Sequence, residues 1–113
     1  MRQAGIVAAA GVYALDHHVD RLADDHANAR RFADLVADHP AITVAPEGID
    51  TNIVFLDYAR GDAATVAAHA MKNGLRIGAS TPTRFRAVTH IDIGAEEIGA
   101  AARLFREALD AAV

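Results

Sequence analysis

The residues best suited to chemistry are concentrated in one stretch, Arg84–Asp92, in the last third of the sequence. Apolar or β-branched residues alternate there with charged ones, which predicts a β-strand over Arg84–Ile91. Alternate residues of a strand point to the same side of the sheet. One face would therefore carry two guanidinium groups, an imidazole and a carboxylate, a set able to bind an anion or exchange a proton. The residues of that face are Arg84, Arg86, Val88, His90 and Asp92.

Arg86 is the first candidate for a binding role. A guanidinium held on a strand presents a planar fork that matches a carboxylate or a phosphate. The alternative is a surface arginine that pairs with Asp92 or with another acid of the chain. We expect Arg84, on the same face, to point into solvent. Two roles are possible for His90 as well: a general base, or a hydrogen-bonded structural residue near the strand end.

The remaining polar residues give weaker indications. Thr51-Asn52 precedes a predicted buried strand, where the pair could reach a site at the sheet end or form a turn. Lys72 is the only lysine, and it falls in the exposed last turn of a predicted helix, which favours a C-terminal helix charge over a Schiff base. The histidines lack metal-ligand spacing, so no metal site is expected. They are His17, His18, His26, His39, His69 and His90.

Composition narrows the class of protein. With 113 residues, 52% of them apolar, the chain is predicted to be a single globular domain over 1–113. A net charge of −4 argues against nucleic acid as a partner. The absence of cysteine excludes disulfides and agrees with a cytoplasmic location. The apolar run Ile6–Leu15 is too short to span a membrane, so no membrane partner is expected.

The hydrophobic pattern predicts an α/β two-layer sandwich, with three or four antiparallel or mixed strands and helices packed on one face. A long helical segment, bent near Asp16–His18, comes first. Its early part, Ala4–Ala14, carries no charge, so it should be buried against more protein than the chain supplies. The near-continuous apolar run at Asn52–Leu56 predicts a strand that is buried on both faces. The predicted strands are 41–44, 52–56, 75–77 and 84–91, and the later helices follow Asp62 and Gly94.

Four stretches together resemble one enzyme family. They are Met1–Gly5, Asp25–Arg30, Thr51–Val54 and Arg86–Asp92. In this order and spacing they are similar to the C-terminal, small domain of threonine aldolases. These are pyridoxal-phosphate-dependent lyases of the aspartate-aminotransferase fold type I, within the beta-eliminating lyases. The resemblance covers nearly the whole chain.

The resemblance implies roles for individual residues. Arg86, in the motif Arg-x-Val-Thr-His, would bind the carboxylate of the substrate amino acid. Arg2 and Gln3 would lie at the domain junction, in a packing or cofactor-proximal position. Asn52, together with His90 and Asp92, would support the site. No catalytic residue is assigned to this chain, because the Schiff-base lysine and the pyridoxal phosphate site belong to a large N-terminal domain that the chain lacks.

The function implied is that of an aldehyde-lyase that cleaves β-hydroxy amino acids, such as threonine to glycine and acetaldehyde. The isolated chain is expected to be inactive, with the large domain as its missing partner and a homo-oligomer as the complete enzyme. One alternative is the small domain of a serine hydroxymethyltransferase-like or aminotransferase-like enzyme. Another is a non-catalytic module for ligand binding or dimerisation.

Overall fold

A computed structural model describes residues 1–112 of the chain as helices packed on one small sheet. The strands form a single antiparallel sheet in the order β1-β2-β4-β3. The predicted α/β two-layer architecture is confirmed. The elements are α1 (Ala4–His17), α2 (Leu22–Val36), β1 (Ile42–Thr43), a 3₁₀ turn (Pro46–Gly48), β2 (Ile53–Tyr58), α3 (Ala63–Lys72), β3 (Gly78–Thr81), β4 (Arg84–Val88) and α4 (Ala95–Ala111).

The two faces of the sheet differ in burial. Along β2 the side chains alternate between exposed and buried positions, with Val54, Leu56 and Tyr58 inside. The prediction that this strand is buried on both faces is therefore wrong. Helices cover only one side of an antiparallel sheet here, so the alternate side chains remain accessible to solvent. The open face is the one that carries Arg86.

Aromatic rings join the helices to the covered face. Phe85 of β4 is fully buried and meets the ring of Phe105 on α4 edge to face, with centroids 5.1 Å apart. Phe32 of α2 lies 5.9 Å from Phe105, and Tyr58 of β2 lies 5.5 Å from Phe85. Edge-to-face contacts of this kind add to the stabilisation from burial. They fix β4, and with it Arg86, against α2 and α4.

Two predicted strands have different limits in the structure. The strand expected at 75–77 is a loop, and the loop expected at 78–83 contains β3 instead. Pro82 and Thr83 form only the turn of the β3–β4 hairpin, and proline lacks the N–H that a strand interior needs. β4 ends at Val88 rather than Ile91. The loop 89–93 leaves the sheet because its backbone is bound to α2 and to the start of β2.

The first helix has no cover within the described chain. α1 ends at His17 and α2 begins at Leu22, which confirms the predicted bend. Every residue of α1 is exposed, with Ile6 and Leu15 at 74% and 72%. The charge-free helix expected to be buried therefore packs against nothing in residues 1–112. Across that same range, no helix combines the length and the apolar character needed to cross a bilayer.

Candidate functional site

Arg86 occupies the middle of β4 on the open face of the sheet. Its cross-strand partners are Phe55 on β2 and Gly78 on β3. Directly paired residues of adjacent strands point to the same face, so Gly78 leaves the β3 side of Arg86 without a covering side chain. A Cβ atom built at Gly78 would lie 3.5 Å from the Arg86 carbonyl oxygen, an ordinary contact. The β3 side of Arg86 is therefore open.

The two arginines of β4 differ in their partners. Nε of Arg84 donates to Oδ1 of Asp57 at 2.7 Å, and the Arg84 guanidinium carbon lies 5.7 Å from the centroid of the Phe55 ring. This hydrogen bond lowers the pKa of Asp57 and raises the pKa of Arg84. Arg84, expected simply to face solvent, is thus half-exposed and ion-paired.

Arg86 carries an uncompensated positive charge. Among residues 1–112, no carboxylate forms a salt bridge with its guanidinium, and no protein acceptor receives its side-chain hydrogens. The alternative that Arg86 pairs with Asp92 is not observed, because the Asp92 carboxylate lies beside His90 instead. An exposed, unpaired guanidinium next to a neutralised one is suited to bind an external carboxylate.

Arg86 lines an open cleft of about 630 Å³ at the β3 edge of the sheet. The loop before β3, the end of β4 and the first half of α4 form its walls. Its polar residues are Arg76, Arg86, His90 and Glu97. No motif or spacing pointed to Arg76, which lies between two apolar residues in a segment predicted to be a strand. Its apolar floor comprises Leu75, Ile77, Val88, Ile93, Ala100, Ala101 and Leu104.

The loop that follows β4 is fixed by hydrogen bonds from three directions. The buried Thr89 hydroxyl donates to the Asp25 carbonyl oxygen of α2 at 2.6 Å. Thr89 N–H donates to the Asn52 carbonyl at 3.0 Å, and Asn52 Nδ2 donates back to the Thr89 carbonyl at 2.8 Å. Asn28 Nδ2 donates to the Ile93 carbonyl at 3.3 Å. Asn52 thus holds the backbone next to His90 and does not line the cleft.

Asp25 is a structural residue that the sequence pattern did not reveal. The amphipathic pattern of α2 predicts it on the wet side, yet only 3% of it is exposed. Its Oδ2 accepts a hydrogen bond of 3.0 Å from Nη1 of Arg21, one helical turn earlier. That contact raises the pKa of Arg21. A buried carboxylate is tolerated here because the guanidinium compensates its charge.

The other predicted support residues are distributed unevenly. His90 lines the cleft, and its Nδ1 accepts from the Asp92 N–H at 3.3 Å, so the neutral ring carries its proton on Nε2. Asp92 approaches His90 Nδ1 to 3.8 Å from outside the cleft. Arg2 and Gln3 precede the exposed helix α1 and also lie outside the cleft. The structure brings together Arg86 and His90 only.

The cleft does not fit pyridoxal phosphate. That cofactor needs a lysine for its aldehyde and a side chain to cover its ring. Among the described residues the cleft lining contains no lysine and no Phe, Tyr or Trp side chain. Lys72 is exposed in the last turn of α3 and is absent from the lining. Nor does the part of the chain seen here, residues 1–112, bring three His, Asp or Glu side chains close enough to hold a metal ion.

Comparison with known proteins connects this geometry to a family. The profile of the beta-eliminating lyases matches residues 1–59. The low specificity L-threonine aldolase of Escherichia coli K12 is 36% identical over 106 residues, which is 94% of this chain. The low-specificity L-threonine aldolase 1 of Arabidopsis thaliana is 27% identical over 112 residues. The chain spans 30% and 31% of the lengths of these two relatives.

Solved structures agree at the level of the fold. The structure of MppP soaked with the product 2-ketoarginine superimposes with a TM-score of 0.68 at 12% identity, over 86% of this chain and 30% of that one. A Bacillus anthracis aminotransferase gives a TM-score of 0.63 at 15% identity, over 81% of this chain and 25% of its own. In each case this fold is one part of a longer protein.

Proposed function

This chain belongs to the beta-eliminating lyase family, and we propose that it is the substrate-carboxylate-binding domain of a threonine-aldolase-like lyase. The observation that carries the proposal is the unpaired Arg86 guanidinium beside the ion-paired Arg84. The complete enzyme would cleave β-hydroxy amino acids, threonine among them. In the intact site, Arg86 holds the carboxylate of the amino acid and so fixes the position of its Cα–Cβ bond.

The cleft explains how one exposed arginine can select its ligand. The apolar residues that line the cleft with Arg86 lower the local polarity, which strengthens a charged hydrogen bond. Arg84 cannot compete for the ligand, because Asp57 already occupies its guanidinium. His90 lies in the same cleft with a proton on Nε2 and can donate a hydrogen bond to the bound molecule.

The proposal assigns the cofactor to the remainder of the enzyme. Pyridoxal phosphate would supply the electron withdrawal that Cα–Cβ cleavage requires. The lysine that holds it would come from a large domain, and the isolated chain would have no lyase activity. Two facts support this arrangement. The chain spans 30% of the E. coli relative, and α1 presents an apolar surface that this chain leaves uncovered. We further propose a homo-oligomeric, cytoplasmic enzyme.

A titration of the purified chain tests the carboxylate site. Butyrate added to ¹⁵N-labelled protein should shift the Arg86 side-chain Nε signal and the neighbouring amides of β4. The variant Arg86→Gln should weaken butyrate binding about tenfold, because it removes a charged two-point contact. Arg60→Gln is the matched control, since it removes one charge from another exposed arginine outside the cleft. Equal losses in the two variants would show that only net charge matters.

A chimera tests the lyase. The matching C-terminal part of the E. coli threonine aldolase is replaced by this chain, and cleavage of threonine is followed through acetaldehyde release. The chimera should be active with added pyridoxal phosphate, whereas the chain alone should release no acetaldehyde. Arg86→Gln in the chimera should raise KM for threonine about 10–100-fold, the cost of about one charged hydrogen bond. An unchanged KM would refute the role of Arg86, and amino transfer without cleavage would favour an aminotransferase-like enzyme.

A further inference from the structure

A second guanidinium faces the same cleft as Arg86. Arg76 lies in the loop between α3 and β3 and lines the cleft opposite the first turns of α4. It is exposed, and within residues 1–112 no acid forms a salt bridge with it. Two arginines without a salt bridge, from different segments, thus line one cleft of about 630 Å³.

The cleft has a net positive charge, whereas the whole chain has a net negative charge. The whole chain has a net charge of −4, yet the cleft contains two arginines, one histidine and a single carboxylate. That carboxylate, Glu97, already has a partner in the chain, because its Oε2 accepts the Gly94 N–H at 3.0 Å at the start of α4. The cleft is therefore a local positive region with two separate points at which an anion can bind.

Most of the other residues that line the cleft are apolar. Leu104 and Ala101 of α4 and Ile77 of the loop line it, with Gly78 adding no side chain beside Arg86. Such a surface fits a short hydrocarbon chain rather than a hydrated ion. Two arginines in an otherwise largely apolar cleft match a small organic molecule that has two acidic groups joined by a short hydrocarbon chain.

We propose that the cleft binds substrates with two acidic groups, in which Arg86 takes the α-carboxylate and Arg76 takes an acidic group on the side chain. This rests on the proposed function in one respect, the assignment of the α-carboxylate to Arg86. It makes Arg76 a residue that determines specificity. The substrate class is then that of β-hydroxy amino acids with an acidic side chain.

Three probes of the purified chain test the proposal by NMR titration at constant ionic strength. Succinate and butyrate share a four-carbon skeleton and differ in the second acidic group. Succinate should bind about tenfold more tightly than butyrate. Inorganic phosphate holds its charges on one centre and should bind more weakly than succinate. Phosphate binding as tight as that of succinate would overturn the two-point assignment.

The variants separate this proposal from the role of Arg86. Arg76→Gln should bring succinate to within about twofold of butyrate, whereas Arg86→Gln should weaken both ligands. Arg60→Gln should preserve the preference for succinate. If the wild type binds butyrate without preferring succinate, only the assignment of Arg76 fails. The same holds if the Arg76→Gln variant still prefers succinate. If neither carboxylate binds, the Arg86 site fails as well.

Discussion

The Thr89 hydroxyl joins the loop after β4 to helix α2, and its removal should measurably destabilise the fold. Thr89 is 4% exposed, and its hydroxyl donates to the Asp25 carbonyl at 2.6 Å. Thr89→Val keeps the shape of the side chain but has no donor, and no water can replace it at a buried position. Loss of such a bond costs about 1–3 kcal/mol. The added methyl group offsets part of this, so we expect a loss of about 1–2 kcal/mol.

Urea denaturation followed by circular dichroism measures this loss. A cost of 1–2 kcal/mol corresponds to an increase of about 5–30-fold in the unfolded-to-folded ratio, at an unchanged m-value. Thr83→Val is the matched control, because Thr83 is exposed in the hairpin turn, and it should remain within about 0.5 kcal/mol of wild type. A Thr89→Val protein as stable as the control would refute the idea that this hydroxyl anchors the loop.

Two further perturbations follow from the geometry around Arg86. Gly78→Val should place a side chain over the β3 side of Arg86 and weaken butyrate binding at least fivefold. The circular dichroism spectrum should stay that of the wild type. Unchanged butyrate binding would show that the ligand does not reach Arg86 from the β3 side. Asp57→Asn tests the pair with Arg84. Since the folded pKa of Asp57 is lowered, the carboxylate stabilises the fold above its unfolded pKa of about 3.9, and this contribution is lost as pH falls through the folded pKa. Urea curves should show the variant less stable than wild type at pH 6 and equal to it once the pH is below the folded pKa of Asp57, and a difference that persists in acid would contradict the assignment.

The helices could be predicted from sequence because their information is local. α2, α3 and α4 follow the helical spacing of their apolar residues, and the Asp62 side chain caps α3 by accepting the Ala64 N–H at 3.2 Å, as its position suggested. The bend between the first two helices also appears where the polar residues Asp16–His18 interrupt the apolar pattern.

The edge strand and the buried polar residues could not be predicted, because their information is not local. Gly78–Thr81 has no hydrophobic alternation and becomes a strand only through its pairing with β4. Asp25 resembles half of an exposed i,i+4 ion pair, and only the packing of the loop 89–93 against α2 shows that it is buried. Arg76 reaches the cleft through the same long-range arrangement of loop and helix. The carboxylate role of Arg86 itself remains a prediction.

The exposed first helix makes the folding cooperativity of the chain uneven. Because α1 buries none of its residues against the rest of the chain, its hydrogen bonds gain nothing when the sheet and the other helices fold. A helix of 14 residues without tertiary contacts is only marginally stable in water, even when it is rich in alanine. In the isolated chain α1 therefore melts and forms independently of the remaining elements. The cooperative unit begins with α2, and an increase in the helicity of residues 4–17 would report directly that another surface has covered them.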